Sequence, residues 1–332
     1  MAINFMAIKP VKKANYLFHG VSISAYGDPD LMAALHSRLR HFPMTGQNRC
    51  DLIFEFCFVP APANHVIEKP LGRARTVYES PPGKVLYVEE DDHLYISYGD
   101  GIRALCMPAQ GLTRVSIVGP EGDNLWLATH PLFTLPLVEL LKRREIYGLH
   151  AAGLSIDGKG VLLPGTSGAG KSTLTIALLR KGLDFLTDDT IFLAPGREGP
   201  RMLAFPDEID VTYETCRMFP ELSFLTDLPK RAGSRKWQVH AEEVYGSNTS
   251  WECRPSVIVF PRVGDLGKSV LRPMSSGEAL LELAPNILLT GSISTQAHFD
   301  VLAELVRKTE CYSLETGRDF DALPALIRDL VR

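Results

Sequence analysis

The sequence lacks any long run of charge of one sign and any long apolar run. Its net charge is −4 over 332 residues, so nothing indicates the basic surface of a nucleic-acid-binding protein, and we expect no nucleic-acid partner. No apolar stretch approaches the roughly 18 residues of a membrane-spanning helix, and the N-terminus has no charged-then-apolar signal arrangement. We therefore expect no membrane association and a cytoplasmic location.

Cysteine pairs and metal-binding spacings are lacking as well. The cysteines are scattered, with no C-x-x-C pair and no histidine at the spacing of a metal ligand. We interpret them as reduced core residues. They are Cys50, Cys57, Cys106, Cys216, Cys253 and Cys311.

The length and composition fit two domains. With 45% hydrophobic residues in 332, the chain can form two separate cores. In residues 1–130 short strand patterns follow one another with one helical pattern between them, from Leu31 to Leu39, which predicts an antiparallel α+β accessory domain. Residues 131–332 are predicted to form the second domain. A helical pattern from Pro131 to Tyr147 is expected to join the two.

The most informative stretch is a glycine-rich loop between a predicted strand and a predicted helix. An apolar run, Val161 to Leu163, precedes the pattern G-x4-G-K-S, and apolar residues recur afterwards at helical spacing. Glycines let the backbone approach a phosphate closely, and the positive end of the following helix adds to the attraction. The pattern predicts a phosphate-binding loop. Its predicted phosphate contacts are Gly165, Thr166, Ser167, Gly168, Ala169, Gly170, Lys171, Ser172 and Thr173.

Two side chains of this loop have separate predicted roles. Lys171 would place its ammonium group between the outer phosphates of a nucleotide. The Ser172 hydroxyl would bind a magnesium ion that neutralises the phosphates from the other side. The pattern therefore predicts ATP and Mg²⁺ as cofactors.

Polar residues on the flanking strands are expected near the loop. The strand Leu149 to Ile156 carries His150, and the Asp-Gly turn after it makes this strand the antiparallel neighbour of the loop strand. The next strand, Leu183 to Ala194, contains Asp188 and Asp189. We expect it to neighbour the loop strand in a parallel βαβ unit, with the pair beside the phosphates. Because adjacent residues on a strand face opposite ways, the two aspartates are expected to differ in role.

Three downstream features are open to more than one interpretation. Glu208, in a run of carboxylates, either completes a metal site or lies in a surface turn. Arg262, at the end of an apolar strand, is a candidate to approach the nucleotide. A basic segment is either a lid or substrate grip or a solvated loop. Its basic residues are Lys230, Arg231, Arg235 and Lys236.

The strand Leu149 to Gly153, the loop Gly165 to Ser172 and the pair Asp188-Asp189 resemble the catalytic domain of HPr kinase/phosphorylases and HPr-kinase-like proteins. The ATP-dependent phosphoenolpyruvate carboxykinases share that core more distantly. The resemblance implies an α/β fold with a P-loop core of the HPr-kinase/carboxykinase type, here preceded by an N-terminal α+β domain. It also implies a possible homo-oligomer, because members of the family are often oligomers.

The resemblance further implies roles for single residues. His150 and Asp188 would serve the proton transfer at the substrate hydroxyl. Lys171, the third predicted catalytic residue, is assigned by the loop pattern and not by the resemblance. Ser172 and Asp189 would belong to the metal site. The Glu-Ile-Arg-Gly segment of HPr kinases is absent from this sequence, and Glu208 stands in for its metal-binding glutamate by position only.

These features together indicate an ATP- and magnesium-dependent kinase. Its acceptor would carry a hydroxyl group, either the serine of a peptide or protein or a small molecule. Two alternatives stay open: a regulator that binds a nucleotide and transfers nothing, and a carboxykinase-like enzyme. The carboxykinase hypothesis requires a second basic cluster that would bind a carboxylate substrate. The segment Lys230 to Lys236 is a poor match to such a cluster.

Overall fold

The structure is a computed structural model, and it describes residues 11–46, 50–59, 67–80, 83–99, 101–118, 125–230, 234–288, 295–317 and 319–331. The chain divides into two compact units, one of residues 1–144 and 289–295 and the other of residues 145–288 and 296–332. Each unit holds a large mixed sheet with helices, so the fold is of the α/β kind. Within the described ranges no helix is both long enough and apolar enough to cross a membrane.

The first unit is built on eight strands and three α-helices among its described residues. Its strands are β1 (Lys12–Phe18), β2 (Val21–Gly27), β3 (Leu52–Val59), β4 (Ala74–Ser80), β5 (Gly83–Val88), β6 (His93–Tyr98), β7 (Ile102–Met107) and β8 (Leu112–Val118). Its helices are α1 (Pro29–Arg38), α2 (Leu125–Thr129) and α3 (Pro131–Lys142), with a 3₁₀ turn at Pro108–Gln110.

The strands of this unit lie in the order β1-β2-β3-β8-β7-β6-β5-β4. We expected an antiparallel sheet, and this expectation is wrong for two pairs, because β2 with β3 and β3 with β8 are parallel. Helix α1 carries the chain from the end of β2 back to the edge where β3 begins, which a parallel pairing requires. The strands β4 to β8 form the antiparallel meander that the turn signals indicate.

Helix α3 belongs to the first unit and ends earlier than its apolar pattern. It packs on the sheet through residues such as Phe133, whose ring centroid lies 4.7 Å from that of Phe54 on β3. Lys142 is its last residue, and Glu145 beyond it has a left-handed φ of 58°. A non-glycine residue in this conformation interrupts a helix. The expected helix to Tyr147 is therefore too long, since Tyr147 starts the first strand of the second unit.

A group of charged residues is enclosed beneath α3. Glu139 and Lys142 are almost fully buried and form an ion pair of 3.1 Å. Arg143 lies 3.7 Å from Glu139 and also pairs with Asp92, to which the Tyr87 hydroxyl donates a hydrogen bond. Burial lowers the pKa of Lys142, although the charge of Glu139 opposes that shift. Each charge of the group lies beside an opposite charge, as buried charges require, although Nη1 of Arg143 has no hydrogen-bond partner among the described residues.

The second unit contains the predicted loop. Its strands are β9 (Tyr147–Ile156), β10 (Lys159–Pro164), β11 (Asp184–Thr187), β12 (Thr190–Ala194), β13 (Arg201–Leu203), β14 (Ile209–Val211), β15 (Trp237–Val239), β16 (Glu252–Leu266), β17 (Val270–Met274) and β18 (Glu310–Gly317). Its helices are α4 (Lys171–Leu179), α5 (Tyr213–Met218), α6 (Ala241–Tyr245), α7 (Ser276–Leu283), α8 (Thr295–Lys308) and α9 (Leu323–Leu330), with 3₁₀ segments at Pro220–Asp227 and Ala284–Asn286.

The main sheet of this unit has the order β10-β9-β12-β13-β16-β18-β17, with β11 also paired to β9. Strand β10 has β9 as its antiparallel neighbour, joined by the predicted turn in which Asp157 and Gly158 have φ of 51° and 76°. On its other edge β10 pairs in parallel with β16, which pairs in parallel with β18. The carboxyl ends of these three strands therefore lie at one edge of the sheet.

The expected strand Leu183 to Ala194 is wrong in two respects. It is divided into β11 and β12, and the break between them contains Asp188 and Asp189. Both pieces pair antiparallel with β9 and neither pairs with β10. The reason is that the hairpin already places β9 on one edge of β10, and β16 takes the other. Strand β9 thus lies between the loop strand and the aspartates.

The sheet is buried on both faces. Val161 and Leu163 of β10 join the core that contains α4 and α9, whereas Leu162 joins the core that contains α7 and α8. A two-stranded sheet of β14 and β15 packs its apolar face into the core that contains α4 and α9.

None of the six cysteines forms a disulfide, and four of them are buried. Cys50 is exposed and Cys57 is half-buried, so the interpretation as core residues is wrong for these two.

Candidate active site

The predicted phosphate-binding loop joins the end of β10 to the start of α4. Gly168 and Gly170 have left-handed φ of 86° and 95°, which glycine adopts without strain. A Cβ atom at Gly168 would meet nothing within 4 Å, so the space beside this backbone is open to a ligand. Lys171 is the first residue of α4, and the loop amides lie at the positive end of that helix. The loop thus has the form of an anion site.

The Lys171 side chain is folded back onto this loop. Its Nζ atom lies 2.5 Å from the carbonyl oxygen of Gly165 and 3.3 Å from that of Thr166. Burial lowers the pKa of Lys171, and the charges of Asp189 and Asp188 oppose this shift. The ammonium group is held by neutral carbonyl oxygens, which phosphate oxygens can replace as stronger partners.

His150 connects Lys171 to Asp189. The Nε2 atom of His150 lies 2.9 Å from Lys171 Nζ, and an ammonium group can only donate, so Nε2 is the acceptor. The ring hydrogen is therefore on Nδ1, which lies 3.1 Å from the carbonyl oxygen and 3.2 Å from Oδ1 of Asp189. The register between β9 and β12, in which Thr190 faces His150, sets this contact.

The Asp189 carboxyl faces solvent. Its side chain is 65% exposed. Loss of hydration opposes its ionisation, but the hydrogen bond from His150 and the charge of Lys171 outweigh this and lower the pKa of Asp189. Thr190 Oγ1 donates a further hydrogen bond to Oδ2 at 3.3 Å. Asp189 is therefore an ionised group that a ligand in solution can reach.

Asp188 has the opposite environment. The residue is only 5% exposed, and its Oδ2 accepts a hydrogen bond of 2.6 Å from the Ser172 hydroxyl. Its Oδ1 is buried and has no hydrogen-bond partner among the described residues. Burial raises the pKa of Asp188 to about 6, the charge of Asp189 adds to the shift, and the Ser172 hydrogen bond opposes it.

The Asp188 and Ser172 oxygens fit a magnesium ion. A buried carboxylate oxygen without a partner is costly, and Mg²⁺ prefers oxygen ligands of this kind. Among the described residues no group of three or more His, Cys, Asp or Glu side chains is gathered as a metal site. A magnesium ion held here would have Asp188 and Ser172 as protein ligands.

Glu208 and Arg262, the other residues singled out in the sequence, each have an ion-pair partner of their own. Glu208 lies just before β14, where its Oε1 is 3.8 Å from Nε2 of His240. It takes no part in the hydrogen bond between Ser172 and Asp188. Arg262, near the end of β16, forms an ion pair of 2.5 Å with Glu282 of α7.

The basic segment leads into β15. Lys236 lies 3.4 Å from Asp210 of β14, and Lys230 lies over the Trp237 ring at 3.9 Å. Arg231 is outside the described residues, and Arg235 is exposed.

One contact near the loop has no counterpart in the sequence analysis. Thr173 Oγ1, in the first turn of α4, lies 3.1 Å from Thr215 Oγ1 in α5. Thr212 caps α5 by accepting a hydrogen bond from the Thr215 amide at 3.2 Å. The capping residue before a short helix was a readable signal for α5. The pairing of α5 with α4 is a tertiary contact that no local pattern reveals.

The similarity of this chain to known proteins lies in its structure and not in its sequence. No family model matches this chain, and no curated protein matches it significantly. Among solved structures the chain is similar to the HPr(Ser) kinase/phosphatase from Coxiella burnetii, with a TM-score of 0.31 and 16% sequence identity. The match covers 56% of this chain and 93% of that chain. At this TM-score and identity the similarity is distant.

Proposed function

We propose that the protein is an ATP- and magnesium-dependent kinase that transfers the γ-phosphoryl group to a hydroxyl group. One observation carries the proposal: a glycine-rich loop at the end of a buried strand gathers two separate polar sets. Lys171 contacts His150, which contacts Asp189, and Ser172 contacts Asp188. Phosphoryl transfer needs little more than such positioned charges, because catalysis is mainly positioning and electrostatic stabilisation.

The loop would bind the phosphates. Its backbone N–H groups and the first turn of α4 supply fixed donors, and Lys171 supplies a cation that can move. Its present partners at the loop, the carbonyl oxygens of Gly165 and Thr166, are neutral. Phosphate oxygens would take the ammonium group from these carbonyls and from His150.

Asp188 and Ser172 would hold the magnesium ion. The Ser172 hydroxyl donates to Asp188 now, and with a cation bound both oxygens would present lone pairs to it. When bound, the ion neutralises charge on the phosphates. The enclosure of Asp188 keeps this carboxylate out of reach of a second substrate.

His150 and Asp189 would receive the acceptor's proton. Once Lys171 turns to the phosphates, His150 Nε2 loses its donor and becomes a free base. The acceptor O–H bond then breaks and its proton passes to Nε2, while the oxygen bonds to the γ-phosphorus and the bond from that phosphorus to the β–γ bridging oxygen breaks, releasing ADP. Asp189 holds the Nδ1 hydrogen and stabilises the imidazolium.

This assignment exchanges the roles that the resemblance implies for the two aspartates. The resemblance gives Asp188 the proton and Asp189 the metal. The contacts favour the exchange, because His150 contacts Asp189 and Ser172 contacts Asp188. Exposure favours it as well, since only Asp189 is open to an acceptor.

The direct test has two parts. Calorimetry should show that the native protein binds ATP in the presence of magnesium and that Lys171→Ala loses most of this affinity. A screen of peptides and metabolites should then find an acceptor that gains one phosphate in an ATP-dependent manner. Equal ATP affinity in both proteins would contradict the phosphate site. Binding without transfer to any acceptor, and without slow ATP turnover, would favour a nucleotide-binding regulator.

A further inference from the structure

The two edges of the loop strand are unlike each other. On the β9 side lie His150 and the two aspartates, which the proposed function assigns to the metal and the γ-phosphate. On the other side β10 pairs in parallel with β16, so the carboxyl end of β16 lies beside the loop. Ligands of α/β sheets bind in the crevice outside these carboxyl ends. A nucleotide with its terminal phosphates toward β9 therefore has its nucleoside toward β16.

An exposed apolar side chain lies at that position. Residues Val257 to Phe260 of β16 are buried, but the Val263 side chain is 69% exposed. Its Cγ2 atom lies 3.4 Å from the position that a Cβ on Gly170 would take, so the Val263 side chain lies next to this glycine of the loop. The exposed methyl groups thus border the predicted phosphate site directly.

The position of Val263 is fixed by its neighbours. Val263 pairs with Thr316 of β18, and the Thr316 hydroxyl donates a hydrogen bond of 3.2 Å to the carbonyl oxygen of Arg262. The Arg262 guanidinium forms an ion pair with Glu282 of α7. Side-chain methyl groups offer no hydrogen bond, so the contact they can make is with an apolar surface such as the carbons of a ribose or the face of a base.

We infer that Val263 packs against the nucleoside of the bound triphosphate and makes the site select a nucleoside triphosphate over a bare polyphosphate. This inference rests on the proposed function and adds a residue that determines the class of phosphoryl donor. Methyl groups on a ring face do not read the base edge, so the contact favours a nucleoside in general and does not distinguish adenine from guanine.

The experiment compares ATP with inorganic tripolyphosphate by calorimetry in the presence of magnesium. The native protein should bind ATP more tightly. Val263→Ala should weaken ATP binding by about three- to tenfold, the worth of two methyl groups partly buried by the ligand, and leave tripolyphosphate binding unchanged. Val263→Thr, which keeps the shape and the strand preference, should weaken ATP binding in the same direction. Lys171→Ala should weaken both ligands.

The matched control is Phe299→Ala. Phe299 is a half-exposed apolar residue on α8, which packs on the face of the sheet opposite α4, so its loss should change neither affinity. If the Val263 variants bound both ligands like the native protein, or weakened both equally, the inference would be wrong while the phosphate site stood. Equal affinity of the native protein for the two ligands would overturn it also. Native protein that bound neither would overturn the proposed function and this inference together.

Discussion

The Nε2 atom of His150 lies 2.9 Å from the Nζ atom of Lys171. The same lysine that would bind the phosphates therefore occupies the nitrogen that would accept the acceptor's proton. In the free protein the ring cannot act as a base at Nε2, because Lys171 already donates to it. Binding of a triphosphate would remove the lysine and release the base in one step.

The coupling between triphosphate binding and the His150 base can be measured on the imidazole ring. We expect the ¹⁵N resonance of His150 Nε2 to change when a non-hydrolysable ATP analogue is added, because its donor is withdrawn. The Nδ1 resonance, whose hydrogen stays with Asp189, should change much less. Histidine-selective ¹⁵N NMR measures both. In Lys171→Met the Nε2 resonance should already be displaced in the free protein, without any analogue, because the donor is gone. A free variant whose Nε2 resonance stays at the native position would contradict the contact between the lysine and the base.

The paired variants Asp188→Asn and Asp189→Asn separate the two roles. Asp189→Asn leaves Ser172 and Asp188 intact, so ATP and magnesium should bind within a few-fold of the native protein. Transfer should fall by about 10²- to 10⁴-fold, because the base His150 loses the carboxylate that orients its ring and stabilises the imidazolium. Asp188→Asn should instead raise the magnesium concentration needed for half-maximal activity. Magnesium titrations of binding and turnover measure both effects. The reverse pattern would restore the roles that the resemblance implies.

Asp188 also predicts a pH dependence of stability. Its pKa is raised to about 6 in the folded protein, above about 3.9 in an unfolded chain. The folded state therefore holds the proton more tightly than the unfolded chain does. The resulting contribution to the free energy of unfolding is fully present below the unfolded pKa of about 3.9 and is lost as the pH rises through about 6. Asp188→Asn removes the buried charge and should raise stability at pH 7.5 by about 1–3 kcal/mol without magnesium.

Thermal unfolding at several pH values measures this difference. The advantage of Asp188→Asn should shrink toward pH 4, where the native carboxyl is neutral, and magnesium should narrow it at pH 7.5 by stabilising the native protein only. Ser172→Ala serves as the control, because it removes a hydrogen bond of the carboxylate and should destabilise. A variant Asp188→Asn that melts below the native protein at pH 7.5 without magnesium would contradict the prediction.

The buried pair of Glu139 and Lys142 predicts a strong coupling in the first unit. Glu139→Leu leaves the Lys142 ammonium enclosed without its 3.1 Å partner and should cost about 3–5 kcal/mol. The double variant Glu139→Leu, Lys142→Met replaces both charges by apolar groups of similar volume and should lose far less. Urea unfolding of the single and double variants measures the coupling. Additive losses would show that the two charges do not depend on each other.

Local patterns predicted the parts of the site that a few neighbouring residues determine. The loop before α4 and the Asp-Gly turn between β9 and β10 are of this kind, and the structure has the turn as predicted. Strand adjacency is different, because it depends on which edges of β10 are already taken. The sequence therefore placed Asp188 and Asp189 on the neighbouring strand, whereas β9 lies between.

The same reason explains the partner of His150. Whether the ring contacts Asp188 or Asp189 is decided by the register of β9 with β12 and by the break between β11 and β12. Neither follows from the period of apolar residues. In the first unit the apolar patterns located the strands, but the parallel pairs around β3 depend on the path of α1, which a strand pattern does not contain.

Strand β9 is hydrogen-bonded along both of its edges, and this fixes the position of His150 along the strand. Its hydrogen bonds to β10 fix it against the loop, and those to β11 and β12 fix it against the aspartates. A slip of two residues, the smallest that keeps the same face inward, would carry His150 about 7 Å along the strand. That exceeds the reach of every hydrogen bond described for it. The entropy of bringing these groups together is thus lost during folding, and a substrate that binds finds them already in place.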